Sequence, residues 1–216
     1  MRILITAGPT REYIDPVRFI SNSSTGFFGY QIASEAVRRG HKVTLISGPT
    51  CLIPPKGAKF IPVVSALGMK RAVDKYFPGS DCLIMSAAVA DYRPVTASSR
   101  KIKKEKAALV LKLVRNPDIL SLAAGKKKRQ VVIGFALETG GLKNNAKEKL
   151  KKKNLDYIIA ASLNNKKSPF GDREISVLIM SRTGKTETFL SDKKGLSRII
   201  LDKAEVSKYH CGSDII

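Results

Sequence analysis

The chain has 216 residues, of which 43% are hydrophobic, and both values are typical of a globular protein with a sizeable core. No apolar run approaches the length of a membrane span, and Met1-Arg2 leads straight into a strand-like stretch without the apolar region of a secretory signal. Three widely spaced cysteines favour a reducing compartment, and only two histidines are present, which argues against a zinc site or Ser–His and Cys–His chemistry. We expect a cytoplasmic protein with no membrane partner.

The formal net charge is +21, and residues 100–167 hold 19 Lys and Arg against 5 Asp and Glu. A basic chain can bind nucleic acid through its phosphates, so a nucleic-acid-binding module is one alternative hypothesis. Most of these lysines stand in short runs, with no helix-turn-helix pattern, aromatic stacking run or basic tail beside them. We therefore interpret most of them as solvated surface, expect a minority to contact an anionic substrate, and expect no nucleic-acid partner.

Strand and helix patterns alternate along the chain, and several strands are continuous apolar runs, as in a sheet that is buried on both faces. This alternation predicts an α/β fold with a Rossmann-like, doubly wound, mostly parallel sheet. The predicted strands are Arg2–Thr6, Lys42–Ser47, Lys59–Val64, Asp81–Ala88, Val131–Leu137 and Tyr157–Ala161. The predicted helices are Phe28–Arg39, Ala66–Phe77, Asp118–Ala124 and Thr139–Lys153.

The connection between the first strand and the first helix is long, at roughly twenty residues, whereas such connections usually take about two to six residues. Its end, Ser21–Gly26, is small and polar and opens directly onto the helix. Hydroxyls and free backbone N–H groups at a helix amino terminus bind phosphate or carboxylate. A Ser-rich turn that only caps the helix is the alternative, but the position after the first strand favours an anion site.

Three further groups of residues follow predicted strands, at the edge where ligands bind such a sheet. Ser86–Pro94 is rich in small residues that let a flat ring or a ribose approach the backbone, and it carries Asp91, which could equally cap a turn. Lys101–Lys104 could reach an oxyanion or could be a solvated charge run. In Arg115–Leu120, Asn116 precedes a proline suited to a helix start, so a plain N-cap is its alternative role.

In the predicted helix Thr139–Lys153 the lysines fall on different faces, because successive residues are rotated by about 100° around the helix axis. Leu142, Ala146 and Leu150 form an apolar stripe. Lys149 and Lys153 fall within or beside that stripe, whereas Lys143, Lys147 and Lys151 form a neighbouring stripe. We expect Lys149 and Lys153 to contact a ligand rather than merely to snorkel into water.

The remaining segments depart from the alternation. Arg93–Leu113 has little helix signal and is interpreted as an arm. In the tail, Ile175–Ser181 and Thr186–Leu190 flank a four-residue turn, which predicts a C-terminal β-hairpin, and a final helix follows at about Gly195–Tyr209. We predict a single domain over residues 1–216, with the arm at about 93–113 and the hairpin and final helix at about 175–210.

Together these motifs resemble those of the phosphopantothenate–cysteine ligases (phosphopantothenoylcysteine synthetases), in particular the bacterial CTP-dependent type. The motifs, in order, are ITAGPTREYIDPVRFISNSSTGFFGY, LISGP, SAAVADYRP, KIKK, NPDIL and GFALET. The resemblance covers roughly residues 2–170 well and the tail in outline. Since the activity is often fused behind a flavin-dependent decarboxylase domain and this chain starts at the ligase's first strand, we expect the stand-alone form.

The resemblance implies a ligation in coenzyme A biosynthesis that joins 4′-phosphopantothenate to cysteine. CTP, with Mg2+ assisting, would form an acyl cytidylate and release pyrophosphate, and the cysteine amine would then displace CMP. Asn22 and Lys101 would be catalytic, and Arg18 and Asn22 would contact the acyl substrate. A homodimer is implied in which an arm from one subunit covers the site of the other. The CTP-binding residues implied are Ala87, Asp91, Lys101, Asn116, Pro117, Asp118, Ile119, Phe135, Lys149 and Lys153.

The sequence departs from the family pattern at two places that bear on function. Phe27 stands where the family commonly has a lysine, so an anion contact there would be weaker or would be replaced by another lysine. Ala161-Ser162 stands where Asn-Asp is common, so a polar contact is missing. A second alternative hypothesis is a dinucleotide-dependent oxidoreductase. The end of the second strand argues against it, because Ser47-Gly48-Pro49 includes no acidic residue that could bind a ribose.

Overall fold

The computed structural model describes residues 1–103, 108–163 and 173–210, and it places the side chains of all of these except Tyr209 and His210. These residues form twelve strands and five α-helices. The strands are Arg2–Ala7 (β1), Arg11–Tyr13 (β2), Phe19–Ser21 (β3), Lys42–Ser47 (β4), Lys59–Pro62 (β5), Cys82–Met85 (β6), Tyr92–Pro94 (β7), Leu113–Arg115 (β8), Val131–Glu138 (β9), Tyr157–Ser162 (β10), Ile175–Ser181 (β11) and Thr186–Ser191 (β12). The helices are Phe27–Arg38 (α1), Ala66–Tyr76 (α2), Ile119–Gly125 (α3), Leu142–Lys152 (α4) and Lys193–His210 (α5).

Eight strands form the central sheet in the order β12-β11-β10-β9-β6-β1-β4-β5. Neighbouring strands from β10 to β5 pair in parallel, and β11 and β12 add an antiparallel hairpin at the β10 edge. Counted along the chain, the six parallel strands stand in the order 3-2-1-4-5-6, in which the winding direction reverses between β1 and β6. The predicted doubly wound sheet and C-terminal hairpin are confirmed.

The apolar strands bury both faces of the sheet because successive side chains point to opposite sides. In β1, Ile3 and Ile5 pack on one face against helices α1 and α5, and Leu4 packs on the other face against α2, α3 and α4. The core therefore has two apolar layers, and the carboxyl ends of the parallel strands remain free between the helices of both layers.

Two glycines set the position of α1. Gly26, just before the helix, has a φ of 80°, a left-handed conformation that glycine adopts without a steric penalty. A Cβ atom on Gly29 would lie 2.6 Å from the Cβ of Ala7, so only glycine lets the first turn of α1 pack this closely against the end of β1. The amino terminus of α1 is thereby held at the carboxyl edge of the sheet.

The predicted boundaries differ from the structure where loops form their own hydrogen bonds. The long connection after β1 contains the β2–β3 hairpin. The arm begins and ends in the β7–β8 ladder, in which Tyr92 pairs with Arg115. The sequence analysis predicted neither of these two ladders. The strand expected to reach Ala88 ends at Met85, and the helix expected from Thr139 begins at Leu142 after Gly141, which has a φ of 63°.

Among the described residues, no helix combines the length and the apolar character that a membrane span requires.

The buried carboxylate of Glu35 and the guanidinium of Arg39 join α1 to α5 through a network of charged side chains. The Glu35 carboxylate accepts two hydrogen bonds of 2.7 Å from Arg38 and one of 3.0 Å from Arg39, although the Glu35 side chain is only 5% exposed. Arg39 in turn donates to Asp202 at 2.7 Å and to Glu205 at 3.2 Å, both on α5. The Arg38 hydrogen bonds outweigh burial and lower the pKa of Glu35 to about 2.

We predict that Glu35→Gln lowers the free energy of unfolding by roughly 2 kcal/mol, since hydrogen bonds to a buried charge are lost. Because the pKa of Glu35 is lower in the folded than in the unfolded state, its ionised carboxylate stabilises the folded protein at pH values above the unfolded-state pKa. This contribution to stability is lost as the pH falls from about 4.5 to about 2. Urea unfolding at several pH values measures both effects. The control Glu148→Gln, on the exposed face of α4, should change stability by at most about 0.5 kcal/mol. If the difference in unfolding free energy between the wild type and Glu35→Gln stays constant down to pH 2, the prediction is wrong.

Candidate functional site

A cavity of about 460 Å³ lies at the carboxyl ends of β6 and β9, between the loop that follows β6, the start of α3 and the helix α4. Its wall contains nine of the ten residues that the sequence analysis predicted to bind CTP, the exception being Lys101. These nine are Ala87, Asp91, Asn116, Pro117, Asp118, Ile119, Phe135, Lys149 and Lys153. The structure therefore brings together residues from four separate segments, although their individual roles remain predictions.

Lys149 and Lys153 are half-buried, whereas Lys143, Lys147 and Lys151 are exposed, as the helical spacing predicted. The Lys149 ammonium donates to the carbonyl oxygen of Phe135 at 2.7 Å, and burial, with a smaller effect of nearby Lys153, lowers its pKa. Lys153 forms a 2.8 Å ion pair with Asp118. The cavity wall thus holds two cations whose geometry is set by their contacts rather than by free rotation.

Asp118 also corrects the interpretation of the Arg115–Leu120 motif. Its carboxylate accepts a hydrogen bond of 3.0 Å from the Ser121 backbone N–H, so Asp118 is the N-cap of α3 and Pro117 precedes the helix. Burial alone would raise the pKa of Asp118, but hydrogen bonds from Lys153 and Ser121 lower it. The carboxylate is therefore ionised and fixed in the cavity wall.

Two asparagines hold the segment 88–91 through its backbone carbonyls. The Asn22 side-chain amide donates to the carbonyl oxygens of Ala88 and Val89, at 3.2 and 3.1 Å. The Asn116 amide donates to the carbonyl of Ala90 at 2.8 Å, and its own oxygen accepts from Arg93 at 3.0 Å. Asn116 is thus a positioning residue and does not cap α3.

A second cavity, of about 280 Å³, lies beside the first and is bounded by the Ser24–Gly29 loop and the ends of β9 and β10. Ala87, Val89 and Phe135 line both cavities, so they form a shared wall. Within the described part of the chain, Lys193 is the single charged residue that lines the second cavity, and it is only 3% exposed. Phe27, where the family commonly has a lysine, lines neither cavity.

Arg18 and Lys101 line neither of the two cavities, and Arg18 contacts Ile102, the residue after Lys101. Arg18 donates to the carboxylate of buried Asp15 at 2.8 Å and to the carbonyl of Ile102 at 3.2 Å. Burial would raise the pKa of Asp15, but backbone hydrogen bonds from Val17, Ile102 and Arg18 lower it. The base of the arm is thereby tied to the β2–β3 hairpin, and Lys101 is exposed beside this junction. Lys104 lies outside the described residues.

Three site residues escaped the sequence analysis. The Thr10 hydroxyl accepts a hydrogen bond of 3.0 Å from the Ala90 N–H, and its place in the turn just beyond the end of β1 was a usable signal. Lys152 lines the first cavity although it is exposed. Lys193 stands at the start of α5, about 170 residues from the loop it faces, and nothing local in the sequence marks it.

Comparison with known proteins identifies the family. Residues 1–207 match the family described as "DNA/pantothenate metabolism flavoprotein C-terminal domain". The chain belongs to this family. The family resemblance predicted from the motifs is confirmed, because this domain is the phosphopantothenoylcysteine synthetase part of the bifunctional relatives. These comparisons support neither the oxidoreductase nor the nucleic-acid-binding hypothesis.

Individual relatives of this family cover nearly all of the chain. It is 45% identical over 209 residues to the coenzyme A biosynthesis bifunctional protein CoaBC of Bacillus subtilis, and 41% identical over 213 residues to that of Escherichia coli K12. These alignments cover 95% and 97% of this chain but 52% of each relative, so the chain spans about half the length of the curated relatives it matches. A crystal structure of the C-terminal domain of CoaBC superposes with a TM-score of 0.81 at 39% identity, covering 97% of this chain and 95% of the other.

We predict that Lys149→Gln and Lys153→Gln each weaken CTP binding by about tenfold, since each removes a positioned cation from the cavity wall. Lys147→Gln and Lys151→Gln are the matched controls on the exposed face of α4 and should have little effect. Calorimetric titration of the four variants at low and high salt tests this. Similar, salt-screened losses in all four would mean that α4 contributes only general positive charge.

Proposed function

We propose that this domain joins 4′-phosphopantothenate to cysteine at the expense of CTP. The observation that carries the proposal is the gathering of nine of the ten predicted CTP-binding residues around one cavity at the sheet's carboxyl edge. The family membership supports the same activity, since the relatives are named as coenzyme A biosynthesis proteins. CTP as the nucleotide and cysteine as the second substrate are part of this proposal.

The proposed reaction has two steps. The carboxylate oxygen of phosphopantothenate attacks the α-phosphorus of CTP, the bond to the leaving oxygen breaks, and pyrophosphate departs. The cysteine amine then attacks the acyl carbon, loses a proton, and displaces CMP to leave an amide. Phosphoryl transfer of this kind depends on positioning and on cations that stabilise developing charge, rather than on covalent catalysis by the protein. Lys149 and Lys153 suit that requirement because both are already oriented.

The cavity also suits a magnesium ion that enters with the nucleotide. Mg2+ is usually held by one or two carboxylates together with substrate phosphates and water. Of the two carboxylates in the wall, Asp118 is paired with Lys153, whereas Asp91 is exposed and forms no ion pair among the residues described. We therefore assign Asp91 as the residue that would hold the ion. When bound, Mg2+ would neutralise charge on the phosphates. The described residues include no group of three His, Cys, Asp or Glu side chains that could hold a metal without the substrate.

We further propose that the domain acts as a homodimer in which the arm reaches the partner's site. Lys101 lies outside the cavities of its own chain, although the family motif ties it to catalysis. The arm and the adjoining β2–β3 hairpin expose large apolar side chains, including Val110 at 91% and Val17 at 59%. Apolar patches of this kind on a surface favour burial against a partner chain.

We infer a reducing, cytoplasmic location. Cys51 is exposed and Cys82 is buried, and neither forms a disulfide in the described part of the chain. Burial strongly raises the pKa of the Cys82 thiol, so this residue behaves as a small apolar side chain in the core.

The activity is tested by measuring pyrophosphate release with phosphopantothenate and each of the four nucleoside triphosphates, with and without cysteine. We expect release that depends on phosphopantothenate and is fastest with CTP, and amide formation only when cysteine is added. Release with ATP alone would overturn the nucleotide assignment, and no release with any nucleotide would overturn the ligation.

We predict that Asn22→Asp releases pyrophosphate but accumulates the acyl cytidylate. A carboxylate cannot donate to the Ala88 and Val89 carbonyls, so the segment that faces the intermediate is no longer held for the second step. Mass spectrometry of quenched reactions detects the intermediate. The neighbouring exposed residue provides the control Ser23→Ala, which should accumulate none. A folded Asn22→Asp protein that neither turns over nor forms an intermediate would contradict this role.

We predict that Lys101→Gln lowers the rate of pyrophosphate release at least about a hundredfold, the effect of deleting one transition-state electrostatic contact, about 3 kcal/mol. Lys103→Gln is the matched control, because both side chains are exposed on the same stretch of the arm. Small and equal losses in the two variants would mean that the run is a solvated charge cluster.

Mixing inactive chains tests whether the arm acts in trans. A Lys101→Gln chain and a Lys149→Gln/Lys153→Gln chain, co-refolded, should recover activity, since a mixed dimer contains one site with both defects and one site with neither. Recovery is expected only if Lys101 serves the partner's cavity. A mixture that is as inactive as its components would show that each chain uses its own arm.

A further inference from the structure

The segment 88–91, which lines the cavities, continues directly into the base of the arm. The backbone N–H of Asn116 donates to the carbonyl oxygen of Asp91 at 2.8 Å, and the β7–β8 ladder follows immediately. Beyond this ladder, the Val95 N–H donates to the carbonyl oxygen of Lys112 at 3.0 Å. One run of backbone hydrogen bonds therefore leads from the wall of the first cavity into the arm.

Arg93 lies at this junction but lines neither cavity. Its side chain is half-buried, and its guanidinium crosses from β7 to the end of β8. There it donates to the carbonyl oxygen of Arg115 at 2.8 Å and to the side-chain oxygen of Asn116 at 3.0 Å. Because Arg93 does not face either cavity of its own chain, it acts on a ligand there through the residues that it holds.

The contact with Arg93 fixes the orientation of the Asn116 side-chain amide. A guanidinium offers only hydrogen-bond donors, and the backbone carbonyl of Ala90 offers only acceptors. In the observed orientation the amide oxygen faces Arg93, and the amide nitrogen donates to the Ala90 carbonyl at 2.8 Å. The reverse orientation would place donor against donor and acceptor against acceptor. Both partners of the amide therefore select the same orientation.

We propose that Arg93 is a positioning residue of the nucleotide cavity, which acts by holding the Asn116 amide against the segment 88–91. Its effect reaches Asp91, because the side chain of Asn116 binds Ala90 and its backbone binds Asp91. The nucleotide itself rests on the proposed function. Without Arg93 the half-buried amide keeps one hydrogen bond instead of two, and a ligand would have to order the segment on binding, which lowers its affinity.

Hydrogen–deuterium exchange of the ligand-free protein tests the proposal without any substrate. Arg93→Met keeps an apolar stem and removes the donors. The backbone N–H groups of residues 90 and 116 should exchange at least about tenfold faster in this variant, because the segment opens more often. Asn116→Ala should show the same increase. The control is Lys112→Met, which removes an exposed cation beside the same ladder and should change neither rate. Unchanged exchange in Arg93→Met would overturn the proposal.

A double-mutant cycle on CTP binding, measured by calorimetric titration, shows whether Arg93 acts through Asn116. We expect Arg93→Met to weaken CTP binding about tenfold, and Lys112→Met to leave the affinity within about twofold of the wild type. In the Asn116→Ala background, Arg93→Met should cause no further loss, because the amide that it orients is absent. Losses that multiply in the double variant would show that the two residues act independently, and this would overturn the proposal.

Thermal unfolding shows whether each variant is folded. Should Arg93→Met fail to fold, NMR of the wild type decides the matter, because hydrogen bonds slow the rotation of a guanidinium group. The Nη protons of Arg93 should then give separate signals, whereas those of Arg71, which is exposed on α2, should average. A freely rotating Arg93 guanidinium would exclude the role. A wild type that binds no CTP, combined with the expected exchange difference, would contradict the proposed function and still support Arg93 as the residue that positions the segment 88–91.

Discussion

The site depends on the backbone pairing of β1 with β6, which continues beyond both strands. Ile3–Thr6 pairs with Cys82–Met85, and an isolated bridge joins Pro9 to Ala88 farther along. This pairing lies where the winding of the sheet reverses, which is the place where ligands bind such a sheet. Residues 8–10, just after β1, hold Ala88, and the side-chain amides of Asn22 and Asn116 donate to backbone carbonyls of the segment 88–91, so this segment forms a fixed wall. Both cavities share part of this wall, so the position of the wall determines where the two cavities lie relative to each other.

The charge of the protein acts through position rather than amount. Of the 39 Lys and Arg, five line the two cavities in the described part of the chain, and three of these are held in place: Lys149 bonded to a carbonyl, Lys153 paired with Asp118, and Lys193 buried at the start of α5. Each is held by packing or by a hydrogen bond, so it would not need to be ordered when a substrate binds. Preorganised charge of this kind is what transfer of a phosphoryl group requires from a protein.

Local patterns in the sequence determined the elements and their order. Continuous apolar strands alternating with amphipathic helices predicted the doubly wound sheet, and the spacing of Lys149 and Lys153 beside Leu142, Ala146 and Leu150 placed both on the inner side of α4. Six motifs in order identified the family. These inferences succeed because periodicity and short motifs report on residues that are close in the chain, and the geometry of a helix or a strand is the same in every fold.

The tertiary structure alone decided which distant residues meet. Lys193 lines the same cavity as the start of α1 because the hairpin β11–β12 extends the sheet and α5 packs beside α1, and neither arrangement leaves a local signal at residue 193. Asn116 proved to support Ala90 rather than cap α3, because its partner lies 26 residues away. Lys101 stayed outside the cavity formed by its own chain, since Asp15 ties the adjacent Ile102 to the β2–β3 hairpin. Contacts of this kind depend on how elements pack, and packing is a property of the whole fold rather than of any window of sequence.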